Sequence, residues 1–195
     1  MNWQELKDAC MNCEKCELYK TRTNVVFGAG QKNAEILFVG EGPGEQEDLT
    51  GEPFVGRAGQ LLDKFLDYIG LERNTNVFIG NVVKCRPPQN RDPRPEETEV
   101  CIDWLREQVR QMRPKIIVCL GRISAQRLIA PNFKVTQEHG DFIEKGGILF
   151  MGTFHPAAIL RDPRRKPEAF EDFLKLRDKI AQLGLSLEQP ADTEE

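Results

Sequence analysis

Six cysteines carry the most specific chemistry in this chain of 195 residues: Cys10, Cys13, Cys16, Cys85, Cys101 and Cys119. Cys13-Glu-Lys-Cys16 is a tight C-x2-C pair, and Cys85 and Cys101 follow much later with fifteen residues between them. Four thiolates can hold a tetrahedral zinc ion or an iron–sulfur cluster. Zinc ribbons usually supply two tight pairs. This chain supplies one, which tilts the reading toward a cluster while leaving zinc open. Cys85 sits in a polar Lys-Cys-Arg-Pro-Pro setting that suits a ligand, whereas Cys119, inside KIIVCLG, reads as a buried strand residue. Cys10 makes a second valid C-x2-C pair with Cys13. The plain alternative is an exposed Cys13/Cys16 pair, with Cys85 and Cys101 in the core.

A second group of residues suits the handling of a planar, polar ligand. Gly40-Glu-Gly-Pro-Gly-Glu-Gln-Glu-Asp48 has three glycines that let backbone approach a ligand, with Pro43 stiffening the turn. Its carboxylates, Glu41 and Glu47 among them, can position or deprotonate a water. The spacing is not a dinucleotide fingerprint. Phe54, between Pro and Gly residues in GEPFVGRAG, can stack on a planar base, although it could equally plug the core. Asn81 offers a donor and an acceptor that match an imide edge. The chain has two histidines; His139 lies in a polar loop, and His155 opens the segment HPAAIL.

These residues need elements to hold them. Four continuous apolar runs, 35–40, 76–83, 115–121 and 148–154, read as buried parallel strands. Helical periodicity lies between and after them. Leu61, Leu62, Phe65, Leu66 and Ile69 form one stripe, closed by Gly70. A second helix follows Pro95-Glu96-Glu97, with Ile102, Leu105 and Val109 on one side, and a short third begins near Ser124. A fourth, over 167–183, points Phe170, Phe173, Leu174 and Ile180 inward. Alternating strands and helices imply an α/β fold whose parallel sheet is covered on both faces. Ligands of such sheets sit beyond the carboxyl ends of the strands. The segments after Gly40, Val83 and Phe154 are therefore expected to converge on one site.

The length fits one domain, expected over 1–185, followed by an acidic tail over 186–195 that is expected to be disordered. Hydrophobic residues at 39% and charged residues at 30% are ordinary for a soluble protein. The sequence shows no signal peptide and no stretch near the roughly 20 apolar residues of a membrane span. A cytoplasmic location is expected, in which clustered cysteines point to metal before disulfides. The formal net charge of -4 becomes 0 without the tail, which holds four acidic residues and no basic one. Positive charge then gathers at Lys84, Arg86, Arg91 and Arg94, and at Arg161, Arg164, Arg165 and Lys166. A local basic patch, not the total, meets phosphates, although such runs are often plain surface.

GEGPGEQED, GEPFVGRAG, NVVKCRPPQNR and HPAAIL, in this order, together with Cys13-x2-Cys16-x-Leu18 and the following Arg22, Val26, Gly28 and Gly30, resemble the family 4 uracil-DNA glycosylases. That family is the bacterial and archaeal iron–sulfur branch of its superfamily. The resemblance runs from about Cys13 to Leu183. It implies a three-layer α/β/α fold around a four-stranded parallel sheet, and a [4Fe–4S] cluster on Cys13, Cys16, Cys85 and Cys101 that leaves Cys10 spare. The implied substrate is uracil-containing DNA, single- or double-stranded, from which uracil is flipped into a pocket and hydrolysed off.

By the same resemblance, Phe54 stacks on the ring, Asn81 reads N3–H and O4, and His155 donates to O2. Glu41 and Gly42, following Gly40, line the site of the attacking water, and Glu47 stands near the C5 edge where it helps exclude the thymine methyl. The aspartate that handles water in family 1 aligns with Gly42, and the tyrosine that blocks thymine with Gly44, so Glu41 is a candidate base without an assigned counterpart. Residues 156–160 are expected to push an apolar wedge into the DNA, the alternative for Ile159 and Leu160 being core packing. Arg86, Arg161, Arg164 and Arg165 are expected to contact phosphates. A monomer is expected. A replication clamp is a reasonable partner for such an enzyme, although the tail carries no clear motif for one. Two rival readings are a glycosylase for another damaged or mismatched base, and a non-catalytic iron–sulfur DNA-binding module.

Overall fold

The computed structural model describes residues 1–185 and 187. The expectation of a disordered tail falls on 186–195, of which all but Leu187 lie outside the described residues. Among the described residues, six strands build the sheet: β1 (Ala29–Gly30), β2 (Ile36–Gly40), β3 (Phe78–Asn81), β4 (Ile116–Leu120), β5 (Phe142–Lys145) and β6 (Ile148–Thr153). Their order is β1-β3-β2-β4-β6-β5. The inner four are mutually parallel and coincide with the four apolar runs. All residues of β2, β3 and β4 are buried, as strands covered on both faces must be.

Two antiparallel edge strands extend the expected four-stranded sheet. β5 reads Phe-Ile-Glu-Lys, is mostly exposed, and turns into β6 through Gly146 and Gly147. Both glycines have positive φ (59° and 80°), the geometry of a two-residue hairpin turn. β1 is an Ala-Gly pair that joins β3 through its backbone, so no apolar run announces it.

Among the described residues, eight α-helices cover the faces: α1 (Trp3–Met11), α2 (Glu45–Thr50), α3 (Arg57–Tyr68), α4 (Pro95–Met112), α5 (Arg122–Leu128), α6 (Val135–Glu138), α7 (Pro156–Arg161) and α8 (Lys166–Leu183). The alternation of strand side chains divides the core in two. Leu37 and Val39 of β2 pack with Leu6 of α1, Ile102 and Leu105 of α4, and Ala125 of α5. Ile36 and Phe38 point the other way, toward Leu62, Phe65 and Leu66 of α3 and toward Phe173 and Leu176 of α8. Three layers, α/β/α, follow.

In α8 the inward stripe is Ala169, Asp172, Phe173, Leu176 and Ile180, which corrects the placing of Leu174 on that face: Leu174 is half-buried, and Leu176 lies three residues beyond Phe173 on the same side. Lys84 is a second correction. It is fully buried, and its ammonium donates to the Phe27 carbonyl (3.1 Å) and Gln108 Oε1 (2.7 Å), so it belongs to the core and to no phosphate-facing patch. A buried charge needs such partners. Among the described residues, no helix is long and apolar enough to cross a membrane.

Candidate active site and cysteine cavity

The strand ends build the candidate site. β2 runs out at Gly40 beside the last residue of β3, Asn81, its register partner. A side chain at Gly40 is excluded, because a Cβ there would stand 2.5 Å from both Asn81 Oδ1 and Phe54 Cζ. Glycine therefore lets the aromatic and the amide meet over the strand end. Asn81 is 1% exposed, and its Oδ1 is buried without a hydrogen-bond partner. An orphaned buried acceptor costs about 1–3 kcal/mol and calls for a ligand donor.

Phe54 holds a left-handed φ of 52°, which is uncommon for an aromatic residue. Three contacts fix it there. Arg73 donates to the carbonyls of Pro53 (2.9 Å) and Phe54 (2.7 Å), while its Nε is tied to Asp63 (2.7 Å). Glu47 Oε1, on α2, accepts from the amides of Val55 and Gly56 (3.2 and 3.3 Å). Gly59 lets the first turn of α3 approach, since a Cβ there would stand 1.7 Å from the Phe54 oxygen.

His155 follows β6. Its position before Pro156 keeps its backbone extended (φ −65°, ψ 136°) and makes it the N-cap of α7, with Pro156 in the first turn. Its Nδ1 accepts from the Ala157 amide at 3.0 Å, so in the neutral ring the proton sits on Nε2. Burial and the Arg161 charge hold the imidazole down at about 4, which leaves a neutral N–H donor at physiological pH. The Phe54 and His155 rings are stacked, with centroids 5.5 Å apart and planes 29° apart.

Glu41, Gly42, Glu47, Phe54, Asn81, His155 and Arg161 line one cleft of about 530 Å³, and Gly40 lies beneath it. This volume falls in the range of small-molecule sites. The Glu41 carboxyl is pushed up to about 7, chiefly by burial and then by the nearby Asp92 charge. Arg86 stands beside the cleft, its Nε donating to the cleft residue Asn90 (2.7 Å). Arg164 pairs with Asp162 (2.8 Å), and Arg165 pairs with Glu168 (3.0 Å) while its guanidinium lies over the Phe154 ring (5.5 Å). Ile159 is core, whereas Leu160 is 38% exposed. Asp92 and Arg122 also line the cleft, paired at 2.6 Å. Arg122 had a legible signal, as it follows the end of β4; Asp92 had none.

Cys13, Cys16, Cys85 and Cys101 line a second, small cavity whose wall includes Leu18, Val25 and Val100. Three of the four sulfurs accept N–H donors: Cys13 from Trp104 Nε1 (3.3 Å), Cys101 from the Lys84 amide (3.2 Å) and Cys85 from Arg22 (3.6 Å). Arg22 also donates to the Cys13 carbonyl, joining the two cysteine segments. Cys10 stands outside this wall, fully buried in the core. Among the described residues, no three His, Cys, Asp or Glu side chains converge as ligands of a single ion.

The first cleft thus brings an aromatic ring, an imidazole and an unpaired amide oxygen together at the strand ends. A family model described as the uracil DNA glycosylase superfamily matches residues 27–176, and the chain belongs to that superfamily. It is 49% identical to the type-4 uracil-DNA glycosylase of Archaeoglobus fulgidus, over 85% of this chain and 87% of that protein. It is 46% identical to the type-4 uracil-DNA glycosylase of Thermotoga maritima, over 88% and 91% of the two chains. Similarity to a type-5 uracil-DNA glycosylase of Pyrobaculum aerophilum is lower, at 31% over 67% and 64%.

Proposed function

We propose that the protein is a monofunctional uracil-DNA glycosylase, acting as one domain over 1–185 on uracil flipped out of single- or double-stranded DNA. The observation that carries this reading is the unpaired, buried Oδ1 of Asn81 beside the Phe54 ring. Uracil N3–H satisfies that oxygen, while the side-chain amide donates to O4. Cytosine offers an acceptor at N3 and an amino group in place of O4, so it would leave both groups of Asn81 opposed. The 5.5 Å between Phe54 and His155 admits no third ring. The base therefore lies against Phe54 beside the pair, with His155 Nε2–H on O2.

As the C1′–N1 bond breaks, charge grows on the uracil oxygens. A neutral donor aimed in advance at O2 stabilises it, at a typical worth of about 10²–10³ in rate for one such donor. Glu41 and Gly42 line the water side, and Glu47 closes the C5 side against a methyl. Leu160, exposed near the cleft, is the wedge candidate in the segment 156–160. Arg86 and Arg161 then face phosphates, with Arg164 and Arg165 further out on the same surface.

The second cavity suits a [4Fe–4S] cluster: four thiols on one wall, none grouped for a single ion, with N–H donors on three of the sulfurs. Cys13, Cys16, Cys85 and Cys101 would hold it. It would supply a covalent staple between the N-terminal segment and the loop after β3. The chain's own residues do the rest: Arg22 and Trp104 hold Cys13 and Cys85 in place.

The test is incubation with a panel of single-stranded and duplex oligonucleotides carrying uracil, thymine, cytosine or hypoxanthine at one position, followed by alkali. Strand breaks at uracil support the reading, and breaks only at another base sink it. Brown colour with iron and sulfide in the purified protein supports the cluster, whereas stoichiometric zinc contradicts it.

A further inference from the structure

His139, Asp172 and Thr153 form a chain of polar groups at the end of β6, two residues before His155, and the proposed reaction gives them no part. Asp172, on α8, is 1% exposed, and a carboxyl buried so deep needs donors. It has two. The hydroxyl of Thr153, the last residue of β6, donates to Oδ2 at 2.6 Å. His139, just beyond α6, stands with Nδ1 3.0 and 2.9 Å from the two carboxylate oxygens. A carboxylate only accepts, so Nδ1 carries the proton. The other ring nitrogen, Nε2, is 3.2 Å from Glu168 Oε2, and Glu168 Oε1 holds Arg165 at 3.0 Å. Gly140 lets the segment close over the carboxyl, since a Cβ there would stand 2.2 Å from Asp172 Oδ1, and its amide donates to the Gly152 carbonyl at 2.9 Å.

These contacts bear on the turn from Thr153 to His155. The Phe154 ring lies 4.7 Å from the His139 ring and 5.5 Å from the Arg165 guanidinium. The Thr153 carbonyl accepts from the Gly121 amide (2.9 Å), and His155 passes close to the same residue: a Cβ on Gly121 would stand 2.9 Å from the His155 Cβ. The Ala157 amide on Nδ1 holds one side of the imidazole, so the direction of Nε2 depends on the backbone that carries the ring. We propose that His139 is a positioning residue for His155: its hydrogen bond to Asp172 locks Thr153 and, with its ring against Phe154, fixes the turn that aims His155 Nε2–H at uracil O2. This rests on the reading of His155 as the donor to O2. A donor aimed before the base arrives stabilises the developing anion without reorganising. Stability alone gives little reason for the pair, because apolar packing often serves a core as well as a buried ionic contact does.

The experiment compares wild type, His139→Leu and His139→Asn. Leucine fills the space without a donor, whereas the asparagine amide nitrogen stands close to where Nδ1 does and still donates to Asp172. Three quantities are read: the single-turnover rate on a uracil-containing single strand, the affinity for a strand carrying 2′-fluoro-2′-deoxyuridine, and the His155 ring titration by NMR in the free protein. Assignment is direct in both variants, because the chain has two histidines and each variant lacks one. His139→Leu is expected to cleave about 10- to 100-fold more slowly, the scale of a misaim on the order of 1 Å, with affinity unchanged. Burial and Arg161 hold the wild-type ring at about 4, and in His139→Leu the loosened ring is expected to titrate about 1 unit or more higher. His139→Asn is expected to return both rate and midpoint toward wild type.

A wild-type rate in His139→Leu, a loss confined to the folded fraction, or a rate loss with the His155 midpoint unmoved overturns the proposal and leaves His139 as packing alone. Failure of His139→Asn to restore the midpoint overturns it as well. Should His139→Leu not fold, Thr153→Val, close in shape and without the hydroxyl, cuts the same chain from its other end and is read in the same way. A wild-type protein that cleaves no uracil strand overturns the glycosylase reading instead. The ring titration then still decides the positioning: a raised midpoint in His139→Leu upholds it, and an unmoved one refutes it.

Discussion

Replacing Asn81 with alanine separates function from stability in a way peculiar to this site. The wild-type fold carries Oδ1 of Asn81 buried and unpaired, a burden of about 1–3 kcal/mol until a base arrives. Alanine removes that burden and leaves only a small void, so the free protein should be as stable as before or better. A gain of about 1 kcal/mol in a domain of this size raises Tm by roughly 2–4 °C. The reaction loses two hydrogen bonds to the base, at about 1–1.5 kcal/mol each. Their sum of about 2–3 kcal/mol slows single-turnover cleavage by roughly 30- to 200-fold. The assay pairs thermal unfolding at one fixed scan rate with single-turnover cleavage of a uracil-containing strand. A variant that melts several degrees lower and loses activity only in proportion to its folded fraction would show that the amide supports the fold, and the argument from the orphaned oxygen would fail.

Three further outcomes are expected. His155→Ala should slow single-turnover cleavage more than Glu41→Gln, because charge stabilisation on the departing uracil exceeds the help given to water; the reverse order refutes that ranking. Gly59→Ala should lower both Tm and cleavage, since its Cβ would stand 1.7 Å from the Phe54 oxygen and overpacking costs about 1–3 kcal/mol; an unchanged cleavage rate would show that Phe54 need not sit where it does. If the proposed cluster is bound, Trp104→Phe removes the N–H on Cys13 Sγ and should speed loss of visible absorbance under a chelator, with the far-ultraviolet spectrum intact at the start; equal bleaching rates would show that this donor gives no protection.

The central strands were legible because each is buried on both faces and so reads as an unbroken apolar run. The same logic hid the edges: β5 is mostly exposed and alternates little, although its Gly146-Gly147 turn was a usable hairpin signal, and β1 contributes backbone alone. Lys84 was misread because a charged residue is ordinarily solvated, and only the tertiary structure supplies the Phe27 carbonyl and Gln108 that let its ammonium go inside. In the site, the rule that ligands sit beyond strand ends located Glu41, Asn81 and His155 correctly with respect to one another. Applied to the end of β4 as well, it finds Arg122. Asp92 was beyond reach, because its place in the cleft depends on the path of the loop after Cys85, which Arg91 and Glu97 fix through contacts that no spacing encodes.

The most direct measurement is a crystal structure of the protein with a strand carrying 2′-fluoro-2′-deoxyuridine, whose fluorine slows departure of the base. The account predicts the uracil ring against Phe54, its N3–H on Asn81 Oδ1 and its O2 on His155 Nε2. A base left stacked in the DNA, or held elsewhere with Asn81 Oδ1 still unpaired, would contradict it.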